Sequence, residues 1–268
     1  MTSPASRTAG ADLLIAEALA RRAGGVLMSY RNRPDLHTST KGPLDIVTAA
    51  DRASEELLVS ELEMVCPMDG MVGEEGARRH QNRSRIWFID PLDGTFNYSR
   101  GIPFWCVSLG LVVDGEMKVG VVFEPIRDEL FAAERGRGAT LNGSPIRAGS
   151  PRTLLESTVQ INVAFDRATI GRSLGDIDVV GREVMRLRNM GALALELSYL
   201  AAGRLDAVIQ RGSHPWDYAA GILICQEAGA TVTNRDGSPF DLHGDDALVA
   251  ATPELHAALQ ALFADAAP

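Results

Sequence analysis

Apolar residues recur at helical spacing near the start of the chain: Leu13, Leu14, Ile15, Ala18, Leu19, Val26 and Leu27 predict a long helix over 11–30. Lys41-Gly42-Pro43 reads as a loop, and Thr48 stands where it would cap a second helix running from about Ala49 to Met64. Met71-Val72 has a buried-strand pattern inside the glycine-bounded turn 70–76, and 85–90 predicts a strand. Residues 105–113, 117–124 and 129–133 are short β-type runs separated by Asp114-Gly115 and Pro125-Ile126-Arg127-Asp128, the spacing of hairpins in an antiparallel sheet. After Pro151 the pattern changes. Strands at 157–163, 184–188 and 205–209 alternate with helices at 192–202 and 216–229. Strands at 230–234 and 246–251 and a closing helix from about Pro253 complete a layered α/β unit. The chain reads as one domain, 1–268, with lobes of about 1–150 and 151–268.

With 268 residues, 46% of them hydrophobic, such a chain buries a substantial core. Its net charge of −9 argues against nucleic acid or an anionic membrane as main partner. No apolar run approaches the ~20 residues of a membrane span. The start, Met1 to Arg7, does not read as a signal peptide. Cys66, Cys106 and Cys225 are odd in number and lack close-pair spacing, which suits reduced, buried thiols in a cytoplasmic protein.

Acids at element ends change this picture. Asp90-Pro91-Leu92-Asp93-Gly94-Thr95 follows an apolar run. Proline lacks the ladder donor, so a central strand is expected to stop there. Pro91 stiffens a bend in which Asp90, the carbonyl of Leu92 and Asp93 converge, the oxygen set a hard cation takes. Gly94 and Thr95 then open a helix or turn whose N–H groups suit a phosphate oxygen. Taken alone, the stretch is equally a turn with a helix cap. Gly73-Glu74-Glu75-Gly76, Asp51 early in its helix, and Asp217 after Pro215-Trp216 add further acids at element ends, each ordinary singly. Together they suggest one polynuclear metal centre. The five histidines show no paired metal spacing, although His214 lies close to Asp217.

Assembled in order, these residues resemble the inositol monophosphatase family of Mg²⁺-dependent, lithium-sensitive sugar phosphatases. The resemblance rests on Asp45-Ile46-Val47-Thr48 with Asp51, Gly73-Glu74-Glu75, the 90–95 stretch, Gly101-Ile102-Pro103-Phe104, Gly191 before Ala-Leu-Glu-Leu, and Trp216-Asp217. It implies an α+β fold with α-β-α-β-α layers, two lobes and a metal site between them. It also implies a homodimer acting on a small phosphorylated metabolite with two or three Mg²⁺. By position, Glu74, Asp90 and the Leu92 carbonyl would hold one ion; Asp90, Asp93 and Asp217 a second; Glu74, with waters, a third. Asp51 and Thr95 would orient and deprotonate the attacking water, and the N–H groups of Gly94 and Thr95 would cradle the phosphate. Lys41 and Glu75 would support the loop. Gly136-Arg137-Gly138 is then no phosphate loop, and Ala139 to Asn142-Gly143 is expected as a turn between strands.

The substrate side departs from the inositol-specific pattern. Seven positions before Asp217, where a Glu commonly binds ring hydroxyls, this chain has Gln210. Gly191-Ala192-Leu193 places a bulky residue where the family is small. Gln still hydrogen-bonds hydroxyls but carries no charge. An inositol-1-monophosphatase is the first expectation. Fructose-1,6-bisphosphate, histidinol phosphate and nucleotide phosphates are alternatives, and a phosphatase-fold protein contacting transcription machinery is an alternative of another class.

Overall fold

The computed structural model describes residues 10–31, 33, 38–42, 45–163, 167–244 and 246–265. The first seven residues, read above as no signal peptide, and Pro43 lie outside them. Helices are α1 (Ala11–Tyr30), α2 (Ala49–Val65), α3 (Thr95–Ser99), α4 (Arg167–Gly181), α5 (Leu193–Ala201), α6 (Pro215–Glu227) and α7 (Pro253–Asp265). A hairpin of β1 (Ser39–Gly42) and β2 (Asp45–Val47) stands apart. One eight-stranded sheet contains β3 (Gly70–Gly73), β4 (Arg78–Arg79), β5 (Arg85–Asp93), β6 (Cys106–Val113), β7 (Glu116–Glu124), β8 (Glu129–Glu134), β9 (Ala139–Leu141) and β10 (Ser144–Ile146). Its order is β10-β9-β8-β7-β6-β5-β3-β4, antiparallel except for β3 beside β5. A five-stranded sheet, order β12-β11-β13-β15-β14, contains β11 (Thr158–Ile161), β12 (Arg186–Arg188), β13 (Ala207–Arg211), β14 (Thr231–Thr233) and β15 (Asp246–Ala250).

Strand alternation sorts the side chains into three cores. Trp87 and Ile89 face α1 and α2 in one core, whereas Phe88 between them joins Cys106, Val122 and Phe131 against α5 and α6. Val208 and Val249 of the second sheet close that middle core from the other side. Their neighbours Ala207, Ile209, Leu248 and Ala250 pack outward against Val180 of α4 and Leu255, Leu259 and Phe263 of α7. The layers are therefore α-β-α-β-α. Helix α6 lies unusually close to the first sheet. Gly110 and Gly120 face each other across β6 and β7, and a Cβ on Gly120 would stand 2.5 Å from the Ala220 carbonyl oxygen. Among the described residues no helix is long and apolar enough to cross a membrane.

Several expectations are corrected. The strand does not stop at Asp90: β5 runs through Pro91 to Asp93. Proline is tolerated because β3 leaves the ladder at Gly73↔Ile89, and a bulge between Asp90 and Asp93 interrupts pairing with β6. Lys41 and Gly42 belong to a strand, and Ala139–Leu141 is a strand before the Asn142-Gly143 turn. The unforeseen helix α4 buries Thr169, Ser173, Asp176 and Val180 along one face. That face is mostly polar, so its period carries no hydrophobic signal. Asp176 is satisfied instead by Arg211 (2.6 Å) and Arg235 (2.5 Å).

Candidate active site

Register brings the acids together. Gly73 and Ile89 are partners in the parallel pair β3–β5, so Glu74 and Asp90 leave adjacent strands side by side. The β5 bulge carries Leu92 and Asp93 onward, and Gly94, at φ +90°, reverses the chain into α3. Any Cβ there would press on Ala192 Cβ and the carbonyl oxygens of Phe104 and Gly191, all 3.1–3.2 Å away. Asp217 enters from the first turn of α6, where its Oδ2 accepts the His214 N–H at 2.7 Å. Asp51 enters from the first turn of α2. Its Oδ2 accepts from Thr48 N (3.0 Å) and Oγ1 (2.6 Å), completing the foreseen cap. Its Oδ1 accepts from the Thr95 hydroxyl at 2.8 Å, a bond the hydroxyl shares with the Leu92 carbonyl at 3.0 Å.

These carboxylates repel one another in a poorly solvated place. Asp90, 2% exposed, has its pKa raised well above the ordinary range by burial and then by Glu74, Asp93 and Asp217. Burial lifts Asp93 to about 7 despite the N–H groups of Leu193 (3.1 Å) and Ala194 (2.7 Å) that its oxygens accept. Asp217 is likewise raised, by burial and then by Glu74. Asp51 is raised by burial, opposed by its hydrogen bonds from Thr48 and Thr95. Lys41 Nζ donates to Glu74 Oε1 at 2.9 Å and also to Glu75 Oε1. Burial opposes the lysine charge, but the two glutamates outweigh it and raise its pKa. Burial carries Glu75 up to about 7 against the pull of Lys41.

Four clustered carboxylates and a backbone carbonyl form an oxygen donor set that fits hard cations, and Lys41 places a positive charge beside one of those acids, Glu74. The oxygens are not preset. Among the described residues no group of three or more Asp, Glu, His or Cys side chains is arranged to hold an ion as it stands. Asp93 and Asp217 instead face backbone N–H groups.

The acids floor a cavity of about 910 Å³ lined by Glu74, Asp90, Leu92, Asp93, Gly94, Thr95 and Asp217. Across it stand Asn162, Thr169, Asn189, Ser213, His214 and His243, with Gly191 and Leu193 beside them. No lysine or arginine lines it among the described residues. Two residues expected to contact substrate do not line the cavity. Ala192 is buried beneath the wall, and Gln210 is 2% exposed on β13, outside the lining, with neither amide atom hydrogen-bonded to another described group. Strand pairing fixes this, because Gln210 shares the inward face of Val208, which packs into the middle core.

Matching the family model described as "Inositol monophosphatase family" covers residues 11–267. The chain belongs to the inositol monophosphatase family. It is 41% identical over 234 residues to "Inositol monophosphatase 2" of Solanum lycopersicum, spanning 83% of this chain and 87% of the other. It is 40% identical over 223 residues to "Nus factor SuhB" of Xylella fastidiosa, spanning 82% and 80%. The crystal structure of extragenic suppressor protein suhB from Bartonella henselae superposes with a TM-score of 0.89 at 34% identity, covering 94% of this chain and 98% of that one. Sequence reasoning missed Asn162 and Asn189. A polar residue just past the end of a parallel strand marks Asn162, since ligands gather at such ends. The same position beyond β12 marks Asn189. His214, close to Asp217 in sequence and open there to either a substrate contact or a structural role, lines the cavity and stacks on Trp216 with ring centroids 4.5 Å apart.

Proposed function

We propose that the chain is a Mg²⁺-dependent phosphatase of small monoesters whose alcohol is a neutral polyol, with myo-inositol 1-phosphate as substrate. The observation that carries this is a floor of converging acids beneath a wall of hydrogen-bonding side chains that, among the described residues, holds no lysine or arginine. Glu74, Asp90, Asp93, Asp217 and the Leu92 carbonyl would hold two or three ions once the carboxylates turn from their backbone donors. Bound there, Mg²⁺ supplies charge that neutralises the phosphate, acidifies water and stabilises the departing alkoxide. The Thr95 hydroxyl donates to Asp51 and offers its lone pairs to the attacking water. Asp51 takes the proton through Thr95, and its raised pKa makes it the stronger base. Gly94 and Thr95 face the phosphate oxygens with their N–H groups, while Lys41 and Glu75 steady Glu74. Asn162, Asn189 and Ser213 offer donors and acceptors to ring hydroxyls.

The same wall disfavours the alternatives. A second phosphate meets no lysine or arginine among the described lining residues, and an amine-bearing alcohol meets no carboxylate on that side. Phosphate release is to be measured with inositol 1-phosphate, fructose 1,6-bisphosphate, histidinol phosphate and nucleotide 3′-phosphates, with and without Mg²⁺ and Li⁺. Fastest Mg²⁺-dependent, Li⁺-inhibited release from the inositol ester is expected; preference for the bisphosphate refutes the substrate. A second reading, contact with transcription machinery, is supported by the relatives named Nus factor SuhB, and no release from any ester would favour it. Homodimerisation and a cytoplasmic location belong to the main reading, and sedimentation velocity tests the first.

A further inference from the structure

Beneath the turn that carries Glu74 lies a buried acid with no part in the chemistry above. Glu55 of α2 is 8% exposed. Its Oε2 accepts the Glu75 N–H and its Oε1 the Ala77 N–H, both at 2.9 Å. The turn closes on itself through Gly73 N–H to Ala77 O (2.9 Å) and hangs on β5 through Glu74 N–H to Ile89 O (3.1 Å). Contact is tight: a Cβ on Gly73 would lie 2.3 Å from Glu55 Oε2, so glycine is what lets the carboxylate in. Arg78 serves the opposite polarity. Its Nη1 donates to the carbonyls of Gly73 and Ala77, and its guanidinium lies 5.1 Å from the Trp216 ring, next to Asp217.

Both Glu55 oxygens face N–H donors, a demand that glutamine fails because its NH₂ would oppose one of them. Aspartate is a methylene too short. The pair of bonds holds the turn on either side of Gly76 and so fixes where Glu74 stands relative to Asp90 and Asp217. Resting on the reading of Glu74 as a cation ligand, we infer that Glu55 is a positioning residue that sets the cation affinity of the centre. Groups that orient ligands in this way alter metal affinity by about 10–100-fold when removed.

Calorimetric Mg²⁺ titration of the full-length wild type, Glu55→Gln and the exposed same-helix control Glu56→Gln tests this, with thermal melts in EDTA to verify folding. Glu55→Gln is expected to bind Mg²⁺ about 10–100-fold more weakly, to need proportionally more Mg²⁺ for half-maximal turnover, and to regain kcat at saturation. Glu56→Gln should match the wild type. Gly73→Ala, which drives a methyl into Glu55 Oε2, should weaken Mg²⁺ binding with Glu55 intact. Unchanged Mg²⁺ affinity in either folded variant overturns the inference. A wild type that binds no Mg²⁺ overturns the metal reading instead.

Discussion

Removing metal should make this protein less stable as the pH rises toward neutrality, and Asp93 gives the magnitude. Its carboxyl titrates at about 7 in the fold and at 3.8 ordinarily. Between those values the folded chain keeps a proton that the unfolded chain has released, so unfolding free energy falls as pH rises. At 1.36 kcal/mol per pKa unit, the full loss above pH 7 is about 4 kcal/mol, and the part falling between pH 5.5 and 7.5 is about 2 kcal/mol. For a chain of 268 residues that is a fall in Tm of about 4 °C. Asp90, Asp217 and Glu196 are raised too and act in the same direction. His256, lowered by burial, acts oppositely, so the informative quantity is the difference between wild type and Asp93→Asn. Melts in EDTA at pH 5.5, 6.5 and 7.5 should show a steeper downward slope for the wild type, and Mg²⁺ at pH 7.5 should abolish it. A wild-type slope equal to that of Asp93→Asn refutes the argument.

Three further outcomes follow from the same geometry. Asp217→Asn and Asp93→Asn should each lower kcat by about 100-fold or more while the protein stays folded; near-normal turnover at saturating Mg²⁺ would remove those residues from the centre. Gly120→Ala must move the Ala220 carbonyl, now 2.5 Å from the new methyl, by about 1 Å, an overpacking cost of about 1–3 kcal/mol. Because Asp217 lies one turn earlier on α6, Mg²⁺ affinity should fall with Tm, and calorimetry checks it. Gln210→Glu would bury a charge among groups that give it no partner, so Tm should drop while the ratio of activities across the phosphate esters stays constant. A shifted ratio would return Gln210 to the substrate wall.

The acid floor was legible because its motifs are local. Asp90 to Thr95 is one continuous bend, and Asp51 and Asp217 each occupy the first turn of a helix with readable caps. Layer order came from the family resemblance, whereas periodicity gave only hairpins of an antiparallel sheet followed by a layered α/β unit. Less accessible was anything set by register. Whether Gln210 faces the cavity depends on one residue of strand phase, and Pro91 survives inside β5 only because β3 has already left the ladder. Helix α4 was hidden because Asp176 pays for its burial with arginines distant in sequence. Nothing in the sequence around Glu55 singles it out from its neighbour Glu56 on the same helix; only the turn folded above it reveals its two backbone bonds.

The cavity draws its two sides from different cores. The acids ride on β3, β5 and α6, braced by the first two cores, whereas Asn162 and Asn189 stand at the ends of β11 and β12 beside the third. Substitutions among Val159, Ile161, Val180 and Leu255 can therefore re-space the side of the cavity that carries Asn162 and Asn189 while Glu74, Asp90 and Asp93 keep their places. Such a division lets selection explore new alcohols without first dismantling the hydrolytic apparatus.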